Sequence, residues 1–581
     1  MKTSTGIGLA IVLLAAAALR GAEPAHRMKV LIKPGAMSEA VGKGDVAIDI
    51  SISDIDVPAG APLLSLSTMV PGASKPQTVE GLTVKDGLGP VPLQSKDVDG
   101  SRRWSSPRAV KGELQITYRE PVENAPMTQG GPPLAPRTDG DGFSSAGSMF
   151  LLSPQTAAPY RIAIDWDLSA MGAGAAAASS YGDGNVELSA GPVARLNNCF
   201  FMAGHLKREP QAAVTSGFSS AWLGEPPFDP RPAMQWTGEL HAWMSRFFHD
   251  KSEPPYRVFL RFNPMNAGGG AALTNSFIVT YGAGVTGESL KSTLGHEMTH
   301  TWTANGLGGW YVEGNAVYYQ SLLSWRAGMI GADQFLEDLN RTASRYYTNP
   351  LKDTPDSQID PRFWEDTRIR VLPYDRGAMY FAVLNGKIGR RSAGKRSIDD
   401  LIQTMIDRSR AGQPATGQPV TEAVWLDLLR QEIGEDGPAV HRSMLAGGLM
   451  LPESGDFGPC FRRTTKKIRR FELGFDPKSL IGTPHIVRGL MPDSEAARAG
   501  LREGDKVNYS VALDAVQADV HRTLTLQVTR DGKTFPIAYL PRGEAVDAYQ
   551  WERISGIPFP GPLGQEDRCK APVGLPPAPA E

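Results

Sequence analysis

Only three cysteines, Cys199, Cys460 and Cys569, occur in 581 residues, which excludes a fold held by a dense disulfide framework. A basic surplus is missing too: 60 Lys and Arg stand against 62 Asp and Glu, a formal net charge of −2. That excludes the electrostatic footprint of a nucleic-acid binder. Long apolar runs are absent except at residues 7–19, which follow Lys2 and precede a stretch of small residues. A run of about thirteen residues is short for a membrane span and suits the core of a secretory signal. Residues 1–25 therefore read as a signal peptide of an exported bacterial protein, periplasmic or secreted, with no transmembrane segment after cleavage. Export permits a disulfide, and Cys460 and Cys569 bracket one C-terminal stretch as a candidate pair. The alternative is three buried or reactive thiols.

What the chain has in quantity is glycine (63) and proline (46), the residues of turns, which points to a large β component. Its length suits roughly three or four domains. In the first third, Val46, Ile48, Ile50 and Ile52 alternate on one strand face. Leu114, Ile116 and Tyr118 do the same, as do Ile162, Ile164 and Trp166. Residues 124–142 are too rich in proline and glycine for anything but a loop. An N-terminal antiparallel β-sandwich over 26–190 is expected. "GAGAAA" (172–177) imitates a dinucleotide fingerprint, but the helix it should open stops within a few residues, leaving no dipole for a pyrophosphate. From residue 191 to about 455 strands and then helices follow, a mixed domain with a helical second half. From 460 strands return, with a hairpin turning at Asp531-Gly532, and 546–581 form an extension ending in a disordered, proline-rich tail.

The chemistry concentrates in "LGHEMTHTWTANGLGGWYVEGNAVYY" (294–319). His296 and His300 lie one helical turn apart, so both imidazoles reach one metal ion, while Glu297 projects beside them as a general base for a water. Thr286 is the expected cap of that helix. A second helix starting near Trp310, after the turn "NGLGG" (305–309), carries Glu313. His300 then stands about 6 Å before the end of one helix and Glu313 about 4.5 Å into the returning one, so an antiparallel pair brings them level. Two histidines and one carboxylate leave a coordination position open, the mark of a catalytic zinc, one Zn2+ per chain.

"HEMTHTW" followed by "EGNAVYY" resembles the gluzincin metallopeptidases, and specifically the glycyl aminopeptidase family. The resemblance implies a β domain, a thermolysin-like catalytic domain (191–455) and a C-terminal PDZ domain (460–545), in all a multidomain α+β chain. It implies that Tyr374, in "PYDRGAMYF", donates a hydrogen bond to the oxyanion of the reaction. It also implies that "FELGFD", with Leu473, Gly474 and Phe475, is a carboxylate-binding loop beside which an extended peptide adds as a strand. Relatives carry a glycine pair and then an acid that holds the substrate's amine. Here "GGGAALTNSF" offers Gly269, Gly270, Thr274 and Asn275 as substrate-binding candidates and no acid. The expected function is an exported zinc peptidase, an aminopeptidase preferring small N-terminal residues such as Gly or Ala. The alternatives are a zinc endopeptidase, and a non-catalytic PDZ peptide-binding protein with a relic metal site. Expected partners are peptide or protein substrates and a C-terminal peptide ligand at the PDZ domain, with no nucleic acid.

Overall fold

The computed structural model describes residues 26–38, 42–68, 78–124, 134–214, 216–265, 267–411 and 420–554. The signal-like stretch 1–25, Cys569 and the proline-rich tail lie outside the described residues. No helix among the described residues is long and apolar enough to cross a membrane.

Alternation builds the N-terminal region. Val46, Ile48, Ile50 and Ile52, each at most 2% exposed, line one face of the strand Lys43–Val57. Its antiparallel partner Val110–Glu123 sets Ile116 opposite Ile50 and Tyr118 opposite Ile48. They belong to a seven-stranded sheet, and smaller four- and five-stranded sheets accompany it. Two points differ from the sequence reading. The large sheet is not wholly antiparallel, because Arg27–Pro34 runs parallel to Pro159–Trp166, with Val30 opposite Ile164. The β region also continues past residue 190, since Phe200–Gly204 pairs with both Gly142–Ala146 and Ala176–Ser179. Residues 172–177 open no helix: Gly172 and Gly174 hold positive φ, and Ala176–Ser179 is a strand.

The next unit starts from a five-stranded sheet in which Phe218–Trp222, Tyr256–Phe262 and Ser276–Tyr281 run parallel. Gly270–Leu273 pairs antiparallel with Ser276–Tyr281 and forms the edge. Helices α1 (Arg231–Phe247), α2 (Gly287–Thr303), α3 (Gly309–Gln320), α4 (Leu322–Arg326), α5 (Ala332–Tyr347), α6 (Thr367–Arg370), α7 (Leu372–Arg391), α8 (Ile398–Ala411), α9 (Glu422–Ile433) and α10 (Asp436–Leu445) follow. They share one core, aromatic at its centre around Trp310, Tyr311, Phe381 and Trp425. His241 of α1 stands among Phe218, Tyr256 and Trp302. Burial pulls its pKa down to about 4, against a nearby Asp250 that raises it. The unfolded chain takes up this proton near pH 6.5 and the folded one only near 4, so stability falls as pH drops through that window. His241→Phe is expected to flatten the pH dependence of unfolding between about pH 6.5 and 4 in denaturant titrations.

The C-terminal region is a two-stranded ribbon, Phe461–Phe471 with Arg542–Arg553, that carries a small unit on its end. Trp551 exchanges backbone hydrogen bonds with the Asn340 side chain of α5, both at 2.8 Å, which fixes the ribbon to the helical unit. The small unit holds three antiparallel strands, α11 (Glu495–Arg498) and α12 (Leu513–Ala518). Its hairpin turns at Asp531-Gly532, both at positive φ, as an Asp-Gly type I′ turn demands. After Phe475 the chain does not continue as a strand but enters the short 3-10 helix Pro477–Leu480, whose Asp476 cap accepts from Lys478 N–H. Pro477 has no N–H to give to a ladder, so the chain itself forms no strand at this point. Cys460 is buried and disulfide-bonded, Cys199 is free and buried, and Cys569 lies outside the described residues.

Candidate active site

The site is assembled by close helix crossings. Thr286 caps α2 through a reciprocal pair with Ser289, which fixes where the helix starts and so which face carries the histidines. Gly295 lets α3 approach: a Cβ there would lie 2.2 Å from the Gln320 carbonyl oxygen. Gly314 and Gly377 meet where α3 crosses α7, and a Cβ on Gly314 would stand 2.7 Å from the Gly377 Cα. The glycines inside "EGNAVYY" and "YDRGAMYF" are therefore contact points that bring Glu313 and Tyr374 over the same patch of α2.

His296 Nε2, His300 Nε2 and Glu313 Oε2 form a near-equilateral triangle with sides of 3.2, 3.3 and 3.4 Å. Ligand atoms bound to zinc at about 2.0–2.1 Å in a tetrahedron stand about 3.4 Å apart. The three atoms thus span one face of a zinc tetrahedron, and among the described residues no other trio of His, Cys, Asp or Glu does so. Burial alone would raise the Glu313 carboxyl, but hydrogen bonds from both histidines outweigh it and hold the group below the usual carboxylate range. Behind His296, Nδ1 lies 3.3 Å from Gln320 Oε1, an acceptor that fixes which ring nitrogen faces the metal. The sequence reading passed over Gln320, although two turns beyond Glu313 on α3 is a place where the same helix face returns. Gln320→Ala is expected to weaken zinc binding about 10- to 100-fold in chelator competition. Unchanged affinity would remove Gln320 from the site.

Glu297 is 7% exposed and packs on the edge strand: a Cβ on Gly270 would fall 2.4 Å from its Cγ, and its carboxylate accepts the Ala272 N–H. Burial lifts its pKa to about 7; the nearby His300 opposes the rise, Glu313 adds to it, and the Ala272 bond works against it. Tyr374, in the first turn of α7, stacks near the His296 ring at 6.1 Å and 15°. Burial and then the negative charges of Glu313 and Glu297 push its phenol well above the ordinary tyrosine range, so it stays a hydrogen-bond donor. Asp375 beside it is fully buried and paired bidentately with Arg345 of α5 at 2.6 and 2.8 Å, which anchors that turn.

Not every candidate joins the cluster. Gly270 opens the edge strand on which Glu297 packs, with Gly269 just before it, but Thr274 and Asn275 occupy the turn at the other end, about 13 Å along from Gly270. There the Thr274 N–H bonds the Asn198 carbonyl at 2.7 Å and Asn275 sits at φ +46°. They tie the hairpin to the N-terminal region rather than to Glu297. Leu473, Gly474 and Phe475 lie in the small C-terminal unit, with Gly474 at φ +84° against Ser494 and Ala496.

Residues 304–358 match the family model of the M61 glycyl aminopeptidases, a stretch that contains Glu313 and Gln320. No curated protein sequence matches the chain. Among solved structures, an aminopeptidase N family protein from Idiomarina loihiensis superposes with TM-score 0.62 at 15% identity, over 90% of this chain and 98% of that one. An M1 zinc metallopeptidase from Deinococcus radiodurans, bound to a Tyr-Ser-Ala substrate, reaches TM-score 0.48 at 15% identity, over 74% and 96%. The first likeness extends the shared fold across nearly the whole chain. With the family match over Glu313 and the metal triangle, the chain is a zinc metallopeptidase.

Proposed function

We propose that this peptidase is an exported aminopeptidase that removes small N-terminal residues, Gly or Ala, from peptides. The observation that carries the reading is the arrangement of Glu297 and Tyr374 beside the His296–His300–Glu313 triangle, with an edge strand packed on Glu297. His296, His300 and Glu313 would hold the zinc, which when bound would supply a Lewis acid and lower the pKa of a water. Glu297, held between Gly270 and Ala272, is placed to take a proton from a water and return it to the leaving amine. Tyr374 donates its phenolic hydrogen bond where charge develops on the carbonyl oxygen. The edge strand Gly270–Leu273 offers an unpaired side to an extended substrate. The apolar run at 7–19 supports export, and the loop at Leu473–Phe475 supports reading the C-terminal unit as a PDZ domain.

A second reading, an endopeptidase, is favoured by one observation: the edge strand presents no carboxylate to a substrate amine. Peptides with free N-terminal Gly or Ala are expected to be cleaved about tenfold or more faster than N-acetylated copies, as burying an unpaired polar group costs over 1 kcal/mol. Equal rates would reject the aminopeptidase and leave the endopeptidase.

A further inference from the structure

An enzyme that trims peptides from the amine end must hold an ammonium close to the reacting carbonyl. Within one residue the nitrogen and the carbonyl carbon lie only about 2.5 Å apart. The edge strand supplies no carboxylate for it, since its residues are Gly270, Ala271, Ala272 and Leu273. An acid does reach the turn that carries Tyr374. That turn opens α7, and Arg370 closes α6 four residues before Tyr374. Helix α12 of the C-terminal unit packs against α5 and α6, and its second residue is Asp514. Asp514 Oδ2 stands 3.8 Å from Arg370 Nη2, an ion pair with no hydrogen bond. The one hydrogen bond of the carboxylate is local, from the Ala515 N–H to Oδ1 at 3.1 Å. An ionised carboxylate accepts about four, and this side chain is 37% exposed. It therefore keeps acceptor capacity on a face open to a ligand.

The charge of Asp514 is felt inside the site. After burial, three carboxylates raise the Tyr374 phenol: Glu313, Glu297 and Asp514, in that order. The first belongs to the metal triangle and the second is the base, while the third comes from the C-terminal unit. Burial is also what chiefly lifts the neighbouring Asp375, and Asp514 adds to it. A charge that acts on both residues lies over this turn of α7. We infer that Asp514 is the carboxylate that receives the substrate's ammonium, in place of an acid on the edge strand, an assignment that rests on the aminopeptidase reading. Arg370 sets the position of that carboxylate, and at 3.8 Å it occupies none of the acceptor sites an ammonium needs. Arg370 is held in turn by stacking over Trp364 at 5.7 Å and by Thr367 Oγ1 at 3.3 Å. The amine site is then complete only while the C-terminal unit is docked, and the Trp551–Asn340 bonds hold its ribbon in place.

The test compares Gly-Phe-Ala with its N-acetyl copy on the full zinc-loaded chain. In Asp514→Asn the preference for the free amine, read as the ratio of kcat/KM values, is expected to fall about 10- to 100-fold. That is the range for hydrogen bonds to charged groups. The loss should appear mainly in KM for the free-amine peptide, and Asp514→Glu is expected to recover part of it. Arg370→Gln removes the ion pair but leaves the carboxylate, and it is expected to keep the preference. Were Asp514 to act only through that pair, Arg370→Gln would erase the preference as well, and the assignment would be overturned. An Asp514→Asn loss that falls equally on both peptides, or a preference that survives it, overturns the assignment too. Calorimetric titration of the same peptides into zinc-loaded Glu297→Gln, with and without Asp514→Asn, reads the discrimination without turnover. There the free amine is expected to lose its tighter binding only when Asp514 is replaced, and tighter binding that persists in the double variant overturns the site. A parent chain that cleaves both peptides at equal rates strikes the aminopeptidase reading itself, a result distinct from any change made by Asp514→Asn.

Discussion

Glu297→Gln is expected to lower peptide hydrolysis by about 10²- to 10⁴-fold, the range for loss of a positioned general base, without loss of bound zinc. The reason lies in how the side chain is seated. Glu297 is buried against Gly270 and accepts the Ala272 N–H, while the metal triangle is drawn from His296, His300 and Glu313. Glutamine has nearly the same shape, keeps a carbonyl oxygen for Ala272, and adds no volume where Gly270 leaves none. The ligand atoms therefore stay in place, and only the capacity to take a proton is removed. Two measurements on one preparation decide it: zinc per chain by elemental analysis, and initial rate on a Gly-terminated peptide. A variant that keeps its zinc and a rate within threefold of the parent would show that another group is the base. Loss of both would instead mean that Glu297 serves the geometry of the site.

Asp375→Ala is expected to destabilise the chain by about 3–5 kcal/mol, the cost of leaving one partner of a buried pair uncompensated. Asp375 has no exposure and takes three hydrogen bonds from Arg345, whose side chain is itself only 16% exposed. Removal leaves a guanidinium among buried groups, with no other hydrogen-bond partner among the described residues. Because Asp375 follows Tyr374 in the first turn of α7, the same substitution loosens the oxyanion donor. Activity at a temperature where the variant remains folded should therefore also fall. Urea titration at constant m-value reports the first effect, and kcat on folded protein the second. A loss below about 1 kcal/mol would place this pair with exposed ion pairs, which contribute that little. Asp375→Asn, which keeps the shape and loses the charge, is expected between the parent and the alanine variant.

Features whose determinants lie within one helix or one strand were legible in the sequence. The i, i+4 spacing of His296 and His300, the Thr286 cap and the glycine turn before Trp310 each follow from the chain's own geometry over a few residues. So did the alternation at Val46–Ile52 and the Asp531-Gly532 hairpin, because a strand's two faces and a tight turn are set locally. The tertiary structure decided what depends on residues far apart in sequence. It took Thr274 and Asn275 away from Glu297, because a two-residue turn puts them at the opposite end of the edge strand. It gave Gly314 and Gly377 their meaning, since a glycine needed for a helix crossing looks like any other until its partner is known. It placed the short 3-10 helix Pro477–Leu480 directly after the loop at Leu473–Phe475. Those placements arise from the packing of separate elements against one another, and no spacing within a single element records it.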